Sequence, residues 1–228
     1  GVYVSQVYTI GTGSDVLKQG DVLLGIDGYS INPYGKYTDP KFGALLFDYL
    51  ITDKTTGDKI TFELWRDGKR QTFDAKTKRF NAADMLVPLY EFDRQPQYII
   101  IGGCILQKLT KSYMMARGDE WEGKVEPHLY NYLQNEAFNP TDERKDIVVL
   151  SYCLPANINI GYQSLSQQVI DKINGMKIRK MQDIPKALQL NPESKFDVIE
   201  FEMENPTIVL DRSQYETANA LISKTYGI

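Results

Sequence analysis

The sequence is poor in the residues that most metal and enzyme sites need. It has one histidine and two cysteines in 228 residues, with no Cys-x-x-Cys pair, so it offers no tetrahedral zinc site. It also lacks basic charge: the net charge is −4 and the pI is near 5.2, whereas nucleic-acid-binding domains carry a basic stripe. No apolar run approaches the roughly 20 residues of a membrane span. We therefore expect no metal, no cofactor, no nucleic acid and no membrane span.

The sequence also lacks a catalytic triad. A trypsin-like triad needs a G-x-S-G-G type turn, a base histidine and an aspartate, and that turn occurs nowhere in the chain. The single histidine, His128, lies in KVEPHLYNYLQNEAF, a segment typical of an amphipathic helix. A Cys104–His128 dyad is formally possible, but a buried strand cysteine and a surface helical histidine are favoured. Cys104 and Cys153 could form a disulfide, although buried free thiols are favoured. We do not expect this chain to be an enzyme by itself.

The glycine-rich stretch near the start does not form a nucleotide site. Gly11 and Gly13 of GTGS fit the first two positions of G-x-G-x-x-G, but Val16 stands at the third. The helical piece over residues 14–18 is too short for a crossover of about a dozen residues between parallel strands. The stretch therefore needs a structural explanation.

An internal repeat supplies that explanation. Residues 4–31 align with residues 150–178, and GIDGYSI in the first copy matches KINGMKI in the second. The Asp-Gly and Asn-Gly pairs at this point favour two-residue hairpin turns, because both positions tolerate positive φ. The repeat indicates two copies of one small domain.

Each copy continues in the same order of elements. A helix-like segment, residues 39–54 or 181–191, is followed by two strands that join at Asp67-Gly68 or near Asn205-Pro206. Alternating apolar residues mark the buried face of such strands, as in Ile60, Phe62 and Leu64. Both halves are therefore predicted to form a strand, a short helix, a strand, a turn, a strand, a helix and two strands.

This order resembles a PDZ domain in the circularly permuted form of bacterial-type proteases. GDVLLGIDGYSI is similar to the GDVIxxxNGxxI segment of the HtrA/Deg serine protease family, and YIIIGG, NINIGYQSL and ISKTYGI resemble its plant-type Deg subfamily and bacterial relatives. The resemblance implies an α+β, mainly β fold: two PDZ-like, partly open β-barrels, each with about two helices. It places a first PDZ-like domain at 1–80, a packed linker at 81–97, and a second PDZ-like domain at 98–228 with an insertion at 111–146.

The resemblance also implies a peptide groove in the second copy. A PDZ groove lies between a strand and a helix, accepts its ligand as an extra strand, and holds the terminal carboxylate on backbone N–H groups. The loop in YIIIGGCILQKL, a receiving strand at 105–109 and a facing helix at 184–190 would form it. The predicted peptide-binding residues are Ile101, Gly102, Gly103, Cys104, Ile105, Leu106, Ile184, Ala187 and Leu188. The alternative is that Gly102-Gly103 is only a tight turn between core strands.

The first copy departs from this pattern, because its loop and receiving strand should precede Gly1. Its predicted helix carries Phe42, Leu46 and Tyr49 at helical spacing without a partner strand. The sequence therefore does not support peptide binding by this copy.

Two further segments carry more apolar residues than free loops would. The linker is predicted to pack on one or both domains through Met85, Leu86, Val87, Leu89, Tyr90 and Phe92. The insertion has enough apolar surface for a partner face, through Trp121, Tyr130, Tyr132, Leu133 and Phe138. The resemblance implies a homo-oligomer assembled through the second PDZ-like domain, and the insertion is the first candidate for its interface.

The leading hypothesis is a non-catalytic tandem PDZ region of an HtrA/Deg-like serine endopeptidase whose protease domain lies outside this chain. Its expected partners are peptides, unfolded-protein segments and further copies of itself, and the cell envelope or periplasm is the expected compartment from the resemblance. The alternative is a stand-alone PDZ scaffold. A G-x-S-G-G turn in the upstream reading frame would discriminate between the two.

Overall fold

The computed structural model describes residues 1–91, 93, 95–203 and 207–227. The chain divides into two compact units, Gly1–Asn81 and Ala82–Ile228, here called unit 1 and unit 2. Antiparallel strands in three sheets make up most of the regular structure, and none of these sheets closes into a barrel among the described residues. The prediction of a mainly β fold is confirmed.

Unit 1 is built on one antiparallel sheet with the strand order β1-β2-β6-β7, and β3 pairs with β2 off this path. A separate hairpin, β4–β5, stands beside it. The elements are β1 (Val2–Tyr3), β2 (Val22–Ile26), β3 (Tyr29–Ser30), β4 (Lys36–Asp39), β5 (Gly43–Leu46), α1 (Tyr49–Thr52), β6 (Lys59–Arg66) and β7 (Lys69–Lys76).

The predicted helix over residues 39–54 is wrong for most of its length, because residues 36–46 form the β4–β5 hairpin. The carboxylate of Asp39 accepts hydrogen bonds from the N–H groups of Lys41 and Phe42, and Gly43 has φ +76°, so the chain turns where a helix would continue. Only the four residues of α1 are helical. Unit 1 thus has one α-helix where about two were predicted.

Unit 2 contains the larger sheet, in the order β14-β13-β11-β10-β9-β8, with β12 paired to β11. The described residues of unit 2 form four α-helices, where about two were predicted. The elements are β8 (Tyr98–Ile101), β9 (Cys104–Lys108), α2 (Lys111–Met115), α3 (Pro127–Asn131), β10 (Val148–Cys153), β11 (Gln168–Ile173), β12 (Met176–Lys177), α4 (Ile184–Leu188), β13 (Phe196–Phe201), β14 (Ile208–Asp211) and α5 (Tyr215–Tyr226).

The two units share a strand pattern that follows the sequence repeat. In unit 1, Ile26 pairs with Phe62 and Leu23 with Leu64, with a bulge between Leu23 and Gly25. In unit 2, Ile173 pairs with Ile199 and Ile170 with Phe201, and β11 bulges between Ile170 and Lys172. The path β1-β2-β6-β7 therefore corresponds to β10-β11-β13-β14, including the position of the bulge.

The matching turns of the repeat are held in the same way. Asp27 has φ +48° and Asn174 has φ +51°, a backbone region that Asp and Asn tolerate. In unit 1 the N–H of Asp27 donates to the carbonyl of Thr61, and Oδ1 of Asp27 accepts from the N–H of Thr61. In unit 2 Asn174 makes the same two hydrogen bonds with Val198. The side chain thus ties the turn to the sheet. A different turn, predicted near Asn205-Pro206 between the last two strands of unit 2, lies outside the described residues.

The linker and the insertion belong to the packing of unit 2. Met85, Leu86 and Val87 are buried, and the N–H of Leu86 donates to the carbonyl of Ala137 at 2.9 Å. Tyr90 is exposed, and Phe92 lies outside the described residues. Within the described part of the chain, no helix combines the length and the apolar character needed to cross a bilayer.

Candidate peptide-binding site

The structure brings the predicted groove residues together in one region of unit 2. Ile101 ends β8, Gly102-Gly103 form the connecting turn, and Cys104, Ile105 and Leu106 lie in β9. Ile184, Ala187 and Leu188 lie in α4. Most of these side chains are part of the core of unit 2, namely Ile101, Cys104, Leu106, Ile184 and Ala187, with Leu188 packed against them.

The glycine turn is tight and enclosed. Gly102 and Gly103 have φ of +52° and +87°, which suits a two-residue hairpin turn. A Cβ on Gly103 would stand 2.5 Å from the carbonyl oxygen of Leu154 and 2.4 Å from Nδ2 of Asn159. Neighbouring protein atoms therefore fill the space beside Gly103, as expected if the glycines are needed for the turn.

Asn159 fixes this turn from inside the core. It has no exposed surface, and its Nδ2 donates to the carbonyls of Gly102 and Leu154, both at 2.8 Å. Its Oδ1 accepts from the N–H of Ala156 and from Nε2 of Gln163. All polar atoms of the buried amide are thus satisfied. The sequence pattern gives no sign of this role, although Asn159 lies in the family-like stretch NINIGYQSL.

The predicted receiving strand has neighbours on both edges. On one side β9 pairs with β10, where Leu106 faces Leu150. On the other side it pairs with β8, where Ile99 faces Leu106 and Ile101 faces Cys104. The chain's own β8 therefore lies in the position where an added strand would contact β9.

The outer edge of β8 remains without a strand among the described residues. Antiparallel pairs alternate between hydrogen-bonded and non-bonded, and the pair that flanks a two-residue turn is bonded. Because Ile101 and Ile99 point their backbone groups at β9, the N–H and C=O groups of Ile100 and Tyr98 point outward. Beside this edge a cleft of about 350 Å³ runs to the start of α4, lined by Pro96, Gln97, Tyr98, Ile99, Met181, Gln182 and Pro185.

A buried polar network holds α4 in place. Asp197 is 2% exposed, and its carboxylate accepts from the guanidinium of Arg212, from Nδ2 of Asn174 and from the hydroxyl of Tyr215. Burial alone would raise the pKa of Asp197, but these hydrogen bonds outweigh it and lower the pKa. Asn174 and Arg212 also donate to the carbonyls of Ala187 and Leu188 in α4. Sequence reasoning missed this network, because its members come from separate elements.

The two cysteines face each other across β9 and β10. Both are free, fully buried thiols with Sγ atoms 3.1 Å apart. Contact with the Cys153 sulfur, together with burial, raises the pKa of Cys104 far above its usual value, so this thiol is a poor nucleophile. His128 has another partner, since its Nε2 lies 3.0 Å from the carbonyl oxygen of Gln167.

Comparison with known proteins identifies the family. The PDZ domain family matches residues 87–228. Over all 228 residues the chain is 29% identical to Protease Do-like 2, chloroplastic, of Arabidopsis thaliana, covering 36% of that protein. It is 23% identical over 227 residues to Putative protease Do-like 3, mitochondrial, from the same plant, again covering 36% of it.

A more distant organism gives the same result. The chain is 23% identical over 175 residues, 76% of its length, to the Serine protease DegP homolog of Plasmodium falciparum, and covers 19% of that protein. The chain thus spans little more than a third of the plant relatives it matches. The resemblance seen in the sequence is confirmed: the chain belongs to the PDZ domain family and is similar along its whole length to Do-like proteases of the HtrA/Deg type.

Proposed function

We propose that this chain is the non-catalytic peptide-binding and assembly region of a Do-like serine endopeptidase. The observation that carries the proposal is the edge of β8 beside α4, in a unit of the PDZ domain family. An extended segment can add to such an edge by main-chain hydrogen bonds, while an adjoining cleft receives alternate side chains. Hydrolysis is assigned to a part of the protein outside this chain.

In this proposal the predicted groove residues form the base of the site. Ile101, Cys104 and Leu106 keep β8 and β9 together over the core, and Ile184 and Ala187 seat α4 on the same core. The incoming segment pairs with the outward N–H and C=O groups of Ile100. Its side chains enter the cleft next to Tyr98 and Pro185.

We further propose that unit 1 is a second PDZ-like domain with the same permuted strand order. The common strand path, the matching bulge and the Asp27 and Asn174 turns support this. The proposed domains follow the sequence boundaries, at residues 1–80 and 98–228, with residues 81–97 as the packed linker.

Self-assembly is proposed through unit 2. Leu133 is buried and Tyr132 is bonded within unit 2, so these insertion residues contribute less to an exposed face than the sequence analysis expected. The outer face of the sheet supports assembly better. Tyr98 and Tyr152 are 56% and 50% exposed there, and both stand opposite residues of β9.

The test removes one outward N–H group. Ile100→Pro deletes that donor at an edge position, where proline is tolerated, whereas Ile100→Val keeps it. Titration calorimetry with peptides ending in an apolar residue should give micromolar binding to the wild type, about −8 kcal/mol. Ile100→Pro should weaken it about tenfold, and Ile100→Val should leave it within about twofold.

A second variant protects the test from a folding defect. Gln182→Trp, at an exposed position, fills the cleft without changing a strand. If the wild type binds no free peptide, sedimentation should show an assembly that both Ile100→Pro and Gln182→Trp dissociate. Folded variants that change neither binding nor mass would refute the groove.

A further inference from the structure

Unit 1 contains a cleft of about 510 Å³ to which the proposed function gives no role. It lies between the β4–β5 hairpin, the turn before β3, and α1. Its lining combines aromatic rings and carboxylates: Asp27, Tyr29, Tyr37, Asp39, Phe42, Leu45, Tyr49, Leu50, Asp53 and Lys54.

Four aromatic side chains line the cleft: Tyr29, Tyr37, Phe42 and Tyr49. Tyr29 packs edge-on against Tyr37, with ring centroids 5.2 Å apart. Phe42 and Tyr49 are 66% and 54% exposed, although apolar rings of this size are usually covered. Aromatic faces carry negative charge density and attract cations, most of all where water is partly excluded.

The charged side chains of the lining are also mostly negative. Three carboxylates face one lysine, and that lysine is engaged, because Lys54 Nζ lies 2.8 Å from Oδ2 of Asp27. Asp39 and Asp53 make no ion pair with any described residue. The Asp39 carboxylate is held by the backbone N–H groups of Lys41 and Phe42, so the lining carries two carboxylates without a cationic partner among the described residues.

Tyr37 supplies the cleft with a hydroxyl group. It is 6% exposed, and its hydroxyl has no hydrogen-bond partner among the described residues. The hydroxyl oxygen is not among the enclosed unpaired polar atoms of the described residues, so it is open to the cleft and able to bond to a ligand. Burial, and then the negative charges of Asp39 and other neighbours, raises the pKa of Tyr37.

The chain's own Lys41 shows the expected contact at the rim. Its Nζ lies 4.9 Å from the centroid of the Phe42 ring. Because Lys41 does not line the cleft, a cation from a ligand could enter the cleft and would compete with Lys41 for this ring.

We propose that this cleft binds an arginine side chain presented by an extended segment of another protein. A guanidinium suits it better than an ammonium, because it stacks on aromatic rings, forks onto carboxylates and loses less hydration on entry. Asp39 and Asp53 hold the charge, the exposed rings of Phe42 and Tyr49 cover its faces, and the Tyr37 hydroxyl meets the ligand's backbone. The site is independent of the unit 2 groove.

The test compares peptides that differ only in charge. The probes are acetyl-Gly-Ala-X-Ala-Gly-amide with X as arginine, lysine or citrulline, titrated into the 228-residue chain by NMR at low salt. Citrulline keeps the shape of arginine without its charge. The arginine peptide should bind most tightly and citrulline at least about tenfold more weakly.

Variants then locate the site. Asp53→Asn should weaken the arginine peptide about fivefold, and Phe42→Ala by a similar factor. Lys41→Gln should tighten binding about twofold, because a competing cation is removed. The matched control is Asp67→Asn, which deletes the same charge at an exposed turn outside the cleft.

Three results would overturn the proposal. They are equal binding of the citrulline peptide, unchanged binding in both Asp53→Asn and Phe42→Ala, or absence of any binding. Spermidine, a free polyamine, is titrated as a further probe. If it binds as tightly as the arginine peptide, the cleft is a general cation site and the proposal of a protein segment is wrong.

Discussion

Units 1 and 2 share a strand path, a bulge and a turn, but the helix beside the turn is held differently. In unit 2 the neutral Asn174 donates to Ala187 of α4 and to Asp197, so the helix is tied to a buried network. In unit 1 the matching Asp27 cannot donate, and it pairs with Lys54 beyond α1. At this position the side chain of unit 2 has an amide nitrogen, and that of unit 1 has a carboxylate oxygen. The helix next to it is tied to a buried network in unit 2, whereas an open aromatic cleft lies beside it in unit 1.

The units also differ at the glycine turn of unit 2. There β8 and β9 extend the sheet and α5 covers the turn, since Tyr215 and Ile222 of α5 approach Gly102 and Gly103. The comparison teaches that the repeated strands set a common scaffold, and that β8, β9 and α5 enclose the glycine turn of unit 2.

The largest effect should come from breaking the buried ion pair of unit 2. Asp197→Ala leaves the guanidinium of Arg212, 19% exposed, without its carboxylate. We expect a loss of roughly 3 to 5 kcal/mol in the free energy of unfolding of unit 2. Cys104 and Cys153 are the only cysteines and are buried in unit 2, so their labelling by a thiol reagent reports opening of that unit alone.

The matched variant is Asp21→Ala, which breaks the corresponding kind of pair with Arg66 in unit 1. It should destabilise unit 1 and leave thiol labelling of unit 2 unchanged. Unfolding of unit 1 is measured by the fluorescence of Trp65 in a Trp121→Phe background. Faster labelling in Asp21→Ala would show that the two units do not unfold independently.

Acid should act on both pairs. Hydrogen bonds from Arg66 lower the pKa of Asp21, as those from Arg212, Asn174 and Tyr215 lower that of Asp197. A carboxyl with a lowered pKa in the folded state stabilises above its unfolded pKa, about 3.9, and this stability is lost as pH falls through the folded pKa. Both units should therefore weaken below about pH 4, and Asp197→Asn should reduce this dependence in unit 2 only.

A smaller effect is expected at the glycine turn. Gly103→Ala adds positive-φ strain and a Cβ within 2.5 Å of the Leu154 carbonyl, so unit 2 should lose about 2 to 4 kcal/mol. In unit 1, Gly28 has φ +82°, and a Cβ added there would meet no atom within 4 Å. Gly28→Ala should therefore cost only the backbone strain, about 1 to 2 kcal/mol. Chemical denaturation followed by circular dichroism measures both, and equal losses would contradict the enclosed turn.

The smallest effect concerns the insertion. The Tyr132 hydroxyl donates to Glu202 and accepts from Arg144, and burial, with the Glu202 carboxylate next to it, raises the pKa of Tyr132 to about 12. Tyr132→Phe should cost unit 2 about 1 kcal/mol without changing the sedimentation coefficient. A fall in assembled mass would instead return Tyr132 to the interface that the sequence analysis predicted.

The sequence by itself determined the repeat, the Asp-Gly and Asn-Gly turns, the strands β6, β7 and β13, and the absence of a triad. These features depend on local backbone preference and on alternation along one strand, which neighbouring residues encode. The same local information failed at Asp39–Leu46, where apolar residues at helical spacing form a hairpin because Asp39 and Gly43 favour turns.

Only the tertiary structure decided which residues meet. The contact between Cys104 and Cys153, the Asp197 network and the aromatic cleft all join residues that are far apart in sequence. Strand register sets these contacts, and a shift by one residue would send every side chain to the opposite face. Register depends on the packing of the whole core, so no single stretch of the sequence could reveal it.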